Sequence, residues 1–203
     1  MTDYQAPPDA RLQRLMARLS RQTWAKRDPE PPEGHAQAAI SVVLRTTDEL
    51  EVLLIKRAES ERDLWSGHMA LPGGRWDVTD SDLADTAIRE TAEETGVELR
   101  SRGWHLGRLE EVSPTRNRLP RLTVVPYVFG VPRQIAASVN SPEIDSVMWV
   151  ELSTLRNPDT RGTTTIDLPE GRRTFPCFQI GGHVVWGLTF RILTGLLQVF
   201  EES

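Results

Sequence analysis

Three glutamates stand close together in the stretch RETAEETGV, which runs from Arg89 to Val97. In a helix, at about 100° per residue, Glu90, Glu93 and Glu94 point into one arc of about 100°. Acids near the C-terminal end of a helix are unfavourable, because the unsatisfied carbonyls there already carry partial negative charge. Converging carboxylates are the hard oxygen ligands that Mg²⁺ or Mn²⁺ prefers. The pattern therefore predicts a divalent metal ion beside these three glutamates.

The helix that would carry the glutamates has recognisable ends. Ser81 or Asp82 is suited to cap its first turn, and Gly96, after Thr95, is suited to a left-handed C-terminal stop. The arc next to the glutamates would face the core and holds Leu83, Ala84, Ala87, Ile88 and Thr91. A salt-bridged surface helix would alternate its charges, whereas this segment has five acids and one base between Asp82 and Glu94. We therefore expect the acids at the border of the packed face.

The wider motif indicates phosphate chemistry, which carboxylate-held divalent ions commonly serve by bridging phosphate oxygens and activating a bound water. The stretch resembles the Nudix box, G-x5-E-x7-R-E-U-x-E-E-x-G-U with U apolar, through Gly74, Asp80, Arg89, Glu90, Glu93, Glu94, Gly96 and Val97. The R-E-x-x-E-E-x-G core is complete. Three departures remain: Asp80 replaces Glu, eight residues instead of seven precede Arg89, and Thr91 fills an apolar position.

The resemblance implies a role for each residue of the box. Glu90, Glu93 and Glu94 would bind Mg²⁺ or Mn²⁺, and the backbone carbonyl of Gly74 would complete the ligand set. Arg89 would orient the glutamates.

The departures affect the partner of Arg89. In the family pattern the acid at the position of Asp80 pairs with this arginine, but the extra residue changes the phase of the turn. Asp77 or Asp85 could take its place.

The resemblance also implies an α/β (α+β) fold, the Nudix-type α/β/α sandwich with a mixed sheet and a loop–helix–loop metal site. The order of strand-like and helical segments indicates the same class. AAISVVL and ELEVLLIKR read as a hairpin joined by Thr46–Asp48, and HVVWGLTFRILTGLLQVF reads as a strand or turn leading into a buried helix. We expect an N-terminal helix over Ala10–Lys26 and a Pro-rich linker within residues 1–35, followed by the hydrolase domain over residues 36–203.

The segment upstream of the box is similar to the signature of the coenzyme A pyrophosphatase subfamily, roughly L-L-T-x-R-[SA]-x3-R-x3-G-x3-F-P-G-G. The matching positions are Arg57, Ala58, Arg62, Gly67, Pro72, Gly73 and Gly74. Ile55 replaces Thr, Leu71 replaces Phe, and one extra residue separates Arg62 from Gly67. The resemblance implies hydrolysis of coenzyme A or its thioesters to 3',5'-ADP and 4'-phosphopantetheine.

Arginine is the natural partner of phosphate oxygens, and coenzyme A carries a diphosphate and a 3'-phosphate. Arg57 and Arg62 are therefore candidates for substrate binding. Arg116, Arg118 and Arg121, in the loop sequence SPTRNRLPR, form a second candidate group. A solvated loop is an equally good reading of that second group.

The general base has several candidates. Glu93 or Glu94 of the box is the first choice, and Glu143 in the loop sequence SPEID is the second. Glu110 and Glu111 are further acids between strands.

Composition limits the classes of partner and location. The formal net charge of −5 argues against a general nucleic-acid binder and is compatible with a small nucleotide-type substrate. The chain shows no bilayer-length apolar run and no signal-peptide core, so we expect no membrane partner and a cytoplasmic location. Cys177 is the single cysteine and is expected to be a buried, inert thiol. The family resemblance allows a homodimer.

Two alternatives to coenzyme A hydrolysis remain open from the sequence. A Nudix pyrophosphatase with the same chemistry could act on a nucleoside triphosphate, ADP-ribose or a dinucleotide, because the box says little about the rest of the substrate. A non-catalytic Nudix domain could instead bind a nucleotide or a partner, although such domains generally lose box carboxylates.

Overall fold

The computed structural model describes residues 6–22, 35–60, 66–114, 121–168 and 171–201. Within these ranges the centre of the molecule is a seven-stranded sheet. Its strands are β1 (His35–Thr46), β2 (Leu50–Arg57), β3 (Met69–Ala70), β4 (Gly73–Arg75), β5 (Trp104–Arg108), β6 (Arg121–Val131) and β7 (Ile144–Glu151). The main order is β3–β2–β1–β6–β5, with β4 paired to β1 and β7 paired to β2. β1 and β6 are parallel and the other pairs antiparallel, so the predicted mixed sheet is confirmed.

Helices and a second, smaller sheet surround this centre. The helices are α1 (Ala10–Leu19), α2 (Leu83–Thr95), α3 (Leu99–Arg102), α4 (Leu152–Arg156) and α5 (Gly187–Glu201). A 3-10 turn, Pro158–Thr160, follows α4. The smaller antiparallel sheet contains β8 (Arg161–Leu168), β9 (Gly171–Ile180) and β10 (His183–Trp186), with β9 in the middle.

The large sheet separates two hydrophobic layers, because successive side chains of a strand point to opposite faces. Ala39 and Val43 of β1 pack in the layer that contains Leu83 and Ala87 of α2. The alternate β1 residues, Ala38, Val42 and Leu44, pack in the layer that contains residues of α1 and α5. The described part of the chain is therefore an α/β/α sandwich with α2 on one face and α1 and α5 on the other.

Helix α1 packs closely on the sheet. Leu12 and Leu19 are buried, and a Cβ added to Gly130 or Gly107 would overlap the side chain of Leu12 or Leu19, respectively. These two glycines leave the space that the leucines fill. The helix ends at Leu19, earlier than predicted, and residues 23–26 of the prediction lie outside the described ranges. Packing on the domain is the observed role of this helix, whereas the boundary at residue 35 stays a prediction.

The β1–β2 hairpin is confirmed, with Thr46 opposite Leu50. The segment HMALPGG reads as a short strand ending in a Pro-Gly-Gly turn, whereas in the structure Gly73–Arg75 forms strand β4 against β1. β8 and the first three residues of β9, Gly171–Arg173, were not predicted. Alternate residues of β8 are exposed and none is fully buried, so its sequence RGTTTIDL lacks the apolar alternation that marks a half-buried strand.

Two further expectations concern single features of the chain. Cys177 is buried, and burial raises the pKa of its thiol, as expected for an inert cysteine. Among the described residues, no helix combines the length and the apolar character needed to cross a membrane.

Candidate metal-binding and catalytic site

Helix α2 begins and ends where the sequence predicts. The side chain of Asp82 accepts a hydrogen bond from the backbone N–H of Asp85 and caps the first turn. Gly96 adopts the left-handed conformation at φ 68° and donates its N–H to the carbonyl of Ala92. The three glutamates therefore lie in the last two turns of an intact helix.

The loop before β7 covers the C-terminal end of α2. The backbone N–H groups of Ser138 and Asn140 donate to the carbonyls of Thr95 and Glu94 at 3.0 and 3.1 Å. The side-chain amide of Asn140 donates to the carbonyl of Ala92 at 3.1 Å. Carbonyls that a helix leaves unsatisfied are thus bound by this loop, which reduces the negative potential at the acidic end.

Glu94 is anchored to the double-glycine segment. Its Oε2 atom accepts a hydrogen bond from the N–H of Gly73 at 2.9 Å, and its side chain is buried. Gly73 has φ 149°, and a Cβ there would overlap the backbone of Ala39 and Ile40 in β1. Only glycine therefore lets the chain pass β1 at this point and present its N–H to Glu94.

Gly74 lies directly against Glu90. A Cβ added to Gly74 would overlap the Glu90 carboxylate. The absence of a side chain at residue 74 thus leaves room for a carboxylate beside the backbone. A backbone carbonyl and several carboxylates form a donor set that fits Mg²⁺ or Mn²⁺.

Arg89 pairs with Asp80, as in the usual box, despite the extra residue. Its Nε and Nη2 atoms donate to the two Asp80 carboxylate oxygens at 2.9 and 3.0 Å. Asp80 also accepts from Thr86 Oγ1 at 2.8 Å. The proposed substitutes are engaged elsewhere: Asp77 accepts from Thr79, and Asp85 pairs with Arg100.

A tight turn before α2 positions Asp80. The N–H of Asp80 donates to the carbonyl of Asp77, and the N–H of Asp77 donates back to the Asp80 carboxylate. This tight turn returns the Asp80 side chain to the side of α2 on which Arg89 lies.

The remaining guanidinium edge binds two of the predicted metal ligands. Arg89 Nη1 donates to Glu90 Oε1 at 2.9 Å and to Glu93 Oε2 at 3.2 Å. Across the described ranges no three acidic, histidine or cysteine side chains already converge in a metal-binding cluster. The Glu93 side chain is 56% exposed and can turn. The donor types fit a divalent metal, and their use requires the Arg89 contacts to rearrange.

Burial, hydrogen bonds and neighbouring charges raise the pKa of two carboxyl groups at this site and lower the pKa of a third. Burial raises the pKa of Glu94 to about 7, with the Glu90 charge adding to the effect and the Gly73 N–H opposing it. Burial also raises the pKa of Glu90, although Arg89 opposes the shift. Burial alone would raise the pKa of Asp80, but hydrogen bonds from Arg89 and Thr86 lower it overall. Asp80 is thus the ionised partner of the arginine, and Glu94 is the carboxyl most easily protonated.

Arg57 and Glu143 lie near the same carboxylate. Their charges act on the pKa of Glu94 in opposite directions, Arg57 lowering it and Glu143 raising it. The two residues are positioned together, because the N–H of Ala58 donates to the carbonyl of Glu143 at 2.7 Å and Arg57 stands opposite Ile144 in the β2–β7 pair. The register shifts between Lys56 and Arg57. Two predicted site residues from distant parts of the sequence are thus brought to the end of α2.

Of the other predicted substrate-binding residues, Arg62, Arg116 and Arg118 lie outside the described ranges, and Arg121 begins β6. Their role stays a prediction.

Three contributors to the site were not predicted: Ser41, Gly73 as a donor to Glu94, and Asn140. Thr91 fills its apolar box position because Ser41 of β1 is its partner, at 2.7 Å between the two hydroxyl oxygens. Thr91 and Ser41 hydroxyls also contact the carbonyl of Ala87. The one signal in the sequence was a Ser in the apolar run AAISVVL.

The sequence is similar to those of known proteins that contain the same domain. A family model described as the NUDIX domain matches residues 35–166. The mitochondrial coenzyme A diphosphatase NUDT8 of Homo sapiens is 33% identical over 173 residues, which cover 83% of this chain and 71% of the human protein. An uncharacterized protein of Schizosaccharomyces pombe is 38% identical over 131 residues, which are 63% of this chain and 40% of that protein. The chain thus spans less than half of the fission yeast relative.

A solved structure shows the same fold. The NUDIX domain of Shewanella oneidensis NrtR, crystallised with ADP ribose, matches with a TM-score of 0.50 and 25% identity over 65% of this chain and 83% of that domain. The α/β/α sandwich expected from the box is confirmed by the structure and by this neighbour. With the family match extending over more than half of its length, the chain belongs to the Nudix family.

Proposed function

We propose that this protein hydrolyses the diphosphate of coenzyme A or of its thioesters, giving 3',5'-ADP and 4'-phosphopantetheine. Water is added across one P–O–P linkage, so each product keeps one of the two phosphates. The observation that carries the proposal is the set of box carboxylates around Gly73 and Gly74, positioned by Arg89. The similarity to a human coenzyme A diphosphatase supports this choice of substrate.

In this proposal Glu90, Glu93, Glu94 and the Gly74 carbonyl hold Mg²⁺ or Mn²⁺. When bound, the metal neutralises phosphate charge and lowers the pKa of a bound water. Arg89 supports the glutamates through its contacts with Glu90 and Glu93, and Asp80 fixes the direction of the guanidinium.

Arg57 is proposed to bind a phosphate group of the substrate. It stands at the end of β2, close enough to Glu94 to lower its pKa. A guanidinium there can bind an anion that the neighbouring carboxylates would otherwise repel. Arg62, Arg116 and Arg118 are proposed as further phosphate contacts.

The proposed general base is Glu93 or Glu94, and Glu143 is the second candidate. Glu93 is exposed on α2, and Glu143 stands in the loop beside Ala58. Replacing each one with Gln separates the candidates, because loss of the base lowers kcat and reshapes the pH–rate profile.

The experiment is a product analysis with coenzyme A, acetyl-coenzyme A, dephospho-coenzyme A, ADP-ribose, NADH and the nucleoside triphosphates. Each reaction is run with Mg²⁺, with Mn²⁺ and with EDTA. We expect metal-dependent release of 3',5'-ADP from coenzyme A, and a lower kcat/KM for dephospho-coenzyme A, which lacks the 3'-phosphate. A preference for ADP-ribose, NADH or a triphosphate would overturn the coenzyme A assignment but would still support metal-dependent hydrolysis of a diphosphate. Absence of hydrolysis with every substrate would favour a nucleotide-binding role.

Three further expectations remain proposals. We propose a hydrolase domain over residues 36–203 after an N-terminal helix and linker in residues 1–35. We propose a cytoplasmic location, without nucleic-acid or membrane partners. A homodimer is proposed from the family resemblance, and sedimentation velocity would test it.

A further inference from the structure

A cavity of about 230 Å³ opens between α1, α4 and the end of α5. Four arginines line it, Arg11, Arg14 and Arg18 from α1 and Arg156 from α4, and one acid, Glu49, faces them. The protein as a whole has a formal net charge of −5. This concentration of guanidinium groups is therefore a local departure from the charge of the molecule.

Two of the arginines are fixed in place by the fold. Arg11 forms an ion pair with Asp9 at 2.7 Å through Nη2, which also donates to the backbone carbonyl of Thr47, and its Nη1 donates to the carbonyl of Asp48. Arg18 donates to the last carbonyls of α5, at 2.8 Å to Val199 and 2.6 Å to Phe200. These contacts hold the walls of the cavity together.

The charges of the other two arginines are not neutralised by an ion pair within the described ranges. Within the described ranges, neither Arg14 nor Arg156 forms an ion pair with a carboxylate. The Arg156 guanidinium lies 5.3 Å from the centre of the Phe200 ring, which restrains it without neutralising it. The hydrogen bond to Asp9 raises the pKa of Arg11, and the charge of Glu49 adds to this effect.

The cavity also has an apolar floor. Leu15, Leu50 and Leu152 are buried in its wall, and the partly buried Phe200 ring lies at its edge. A ligand that fills the cavity would therefore contact both guanidinium groups and hydrocarbon. Binding sites for small molecules typically combine an apolar lining with a few placed polar groups.

This cavity is separate from the carboxylate site. Leu15 and Leu50 belong to the core layer of α1 and α5, whereas Leu83 and Ala87 of α2 belong to the layer on the other face of the sheet. A molecule in the cavity cannot touch the carboxylates of α2.

We propose that this cavity is a second binding site, for a small organic phosphate. Arg14 and Arg156 bind the phosphate group, and the organic part lies on Phe200 and Leu15. A ligand there links α1 to α4 and so fastens the N-terminal helix to the rest of the molecule. The proposal goes beyond the proposed hydrolase function and does not depend on it.

The test uses isothermal titration calorimetry with phenyl phosphate and with inorganic phosphate, in EDTA so that no metal is present. We expect phenyl phosphate to bind wild-type protein more tightly than inorganic phosphate, because its ring can cover the apolar floor. The variant Arg14→Gln/Arg156→Gln should bind phenyl phosphate at least about tenfold more weakly, since each charge-assisted hydrogen bond contributes this much or more. Phe200→Leu should reduce the preference for phenyl phosphate.

The matched control is Arg102→Gln/Arg173→Gln, which removes two exposed arginines outside the cavity and gives the same net charge. It should bind like wild type, and circular dichroism should show all variants folded. Three results would each overturn the proposal: no binding to wild type, equal binding to wild type and the cavity variant, or equal weakening in the control. Equal affinity for phenyl phosphate and inorganic phosphate would overturn the proposal that the ligand carries an organic group bound by Phe200 and Leu15.

Discussion

At the scale of single residues, the Asp80–Arg89 pair determines how the acidic end of α2 is arranged. Asp80 is only 5% exposed at its side chain and binds the guanidinium with both oxygens. The same guanidinium holds Glu90 and Glu93 through its remaining edge. A single arginine thus lies between a buried acid and two of the proposed metal ligands.

Asp80→Asn should lower the free energy of unfolding by about 2 kcal/mol, because a partly buried charge-assisted pair is lost. It should also lower kcat/KM, since Arg89 is no longer directed. Chemical denaturation and steady-state kinetics measure the two effects. Asp77→Asn, in the same turn and exposed, is the control and should change neither quantity greatly. Equal losses in both variants would show that the turn matters more than the pair.

Glu94 should make the metal-free protein less stable as the pH rises. Its pKa is raised from 4.5 to about 7 in the folded state, so the folded protein binds its proton more tightly than the unfolded chain. The Glu94 contribution is therefore fully present below about pH 4.5 and is lost as the pH rises through 7, by at most about 3 kcal/mol. Urea unfolding in EDTA between pH 5 and 8 measures this slope. Glu94→Gln should flatten it, and an unchanged slope would assign the pH dependence to other groups.

The residue scale also shows where sequence reasoning succeeds and fails. Glu90, Glu93 and Glu94 were predictable because helical spacing alone brings them together. The Asp80 contact was not, because the position of Asp80 depends on a turn whose backbone hydrogen bonds carry no signature in residue type. The Thr91–Ser41 contact joins residues that are 50 positions apart, and local patterns cannot show it.

At the scale of elements, the segment Gly73–Arg75 joins the sheet to the site. As strand β4 it pairs with β1, and it touches Glu94 and Glu90 with consecutive glycines. The two glycines serve different purposes, since Gly73 passes the β1 backbone and Gly74 makes room for the Glu90 carboxylate.

The two glycines should therefore respond differently to alanine. Gly74→Ala should keep the fold and lower the metal-dependent kcat/KM by about 10- to 100-fold, because the new Cβ displaces the Glu90 carboxylate. Gly73→Ala should destabilise the whole protein, because it combines an unfavourable φ with overlap against β1. Thermal unfolding and kinetics of both variants check this. Equal loss of stability in the two would contradict the division of roles.

Elements with a clear apolar period were predictable, and those without one were not. α2 has recognisable caps at Asp82 and Gly96, and the β1–β2 hairpin has strands of buried residues. β8 has a polar, exposed face and an opposite face on which no residue is fully buried, and it pairs with β9 along its whole length. Such pairing depends on residues of β9 as well as β8, so the sequence of β8 alone does not indicate it.

At the scale of the whole molecule, α1 is part of the structural core. Leu12, Leu15 and Leu19 pack in the same layer as residues of α5 and the sheet. The prediction of an amphipathic helix was possible from leucine spacing, but the surface that it covers depends on Gly107 and Gly130 far along the chain.

Leu12→Ala should lower the free energy of unfolding of the entire protein by about 2–5 kcal/mol, because Leu12 is fully buried. The transition should remain single, since α1 shares one core with the sheet. Gln13→Ala, on the exposed side of the same helix, removes one hydrogen bond to the carbonyl of Pro7 and should change the stability by no more than about 1 kcal/mol. If Leu12→Ala instead behaved like Gln13→Ala, the helix would be a dispensable extension.

The central claim is that the carboxylates at the end of α2 perform metal-dependent hydrolysis of a diphosphate. The most direct test is kcat/KM for coenzyme A in Mn²⁺ for wild type, Glu94→Gln and Glu98→Gln, an exposed acid just beyond the box. We expect Glu94→Gln to lose at least about a hundredfold with its circular dichroism unchanged, and Glu98→Gln to retain wild-type activity. Coenzyme A hydrolysis at the wild-type rate by Glu94→Gln would contradict the account, because the reaction would then not depend on this site.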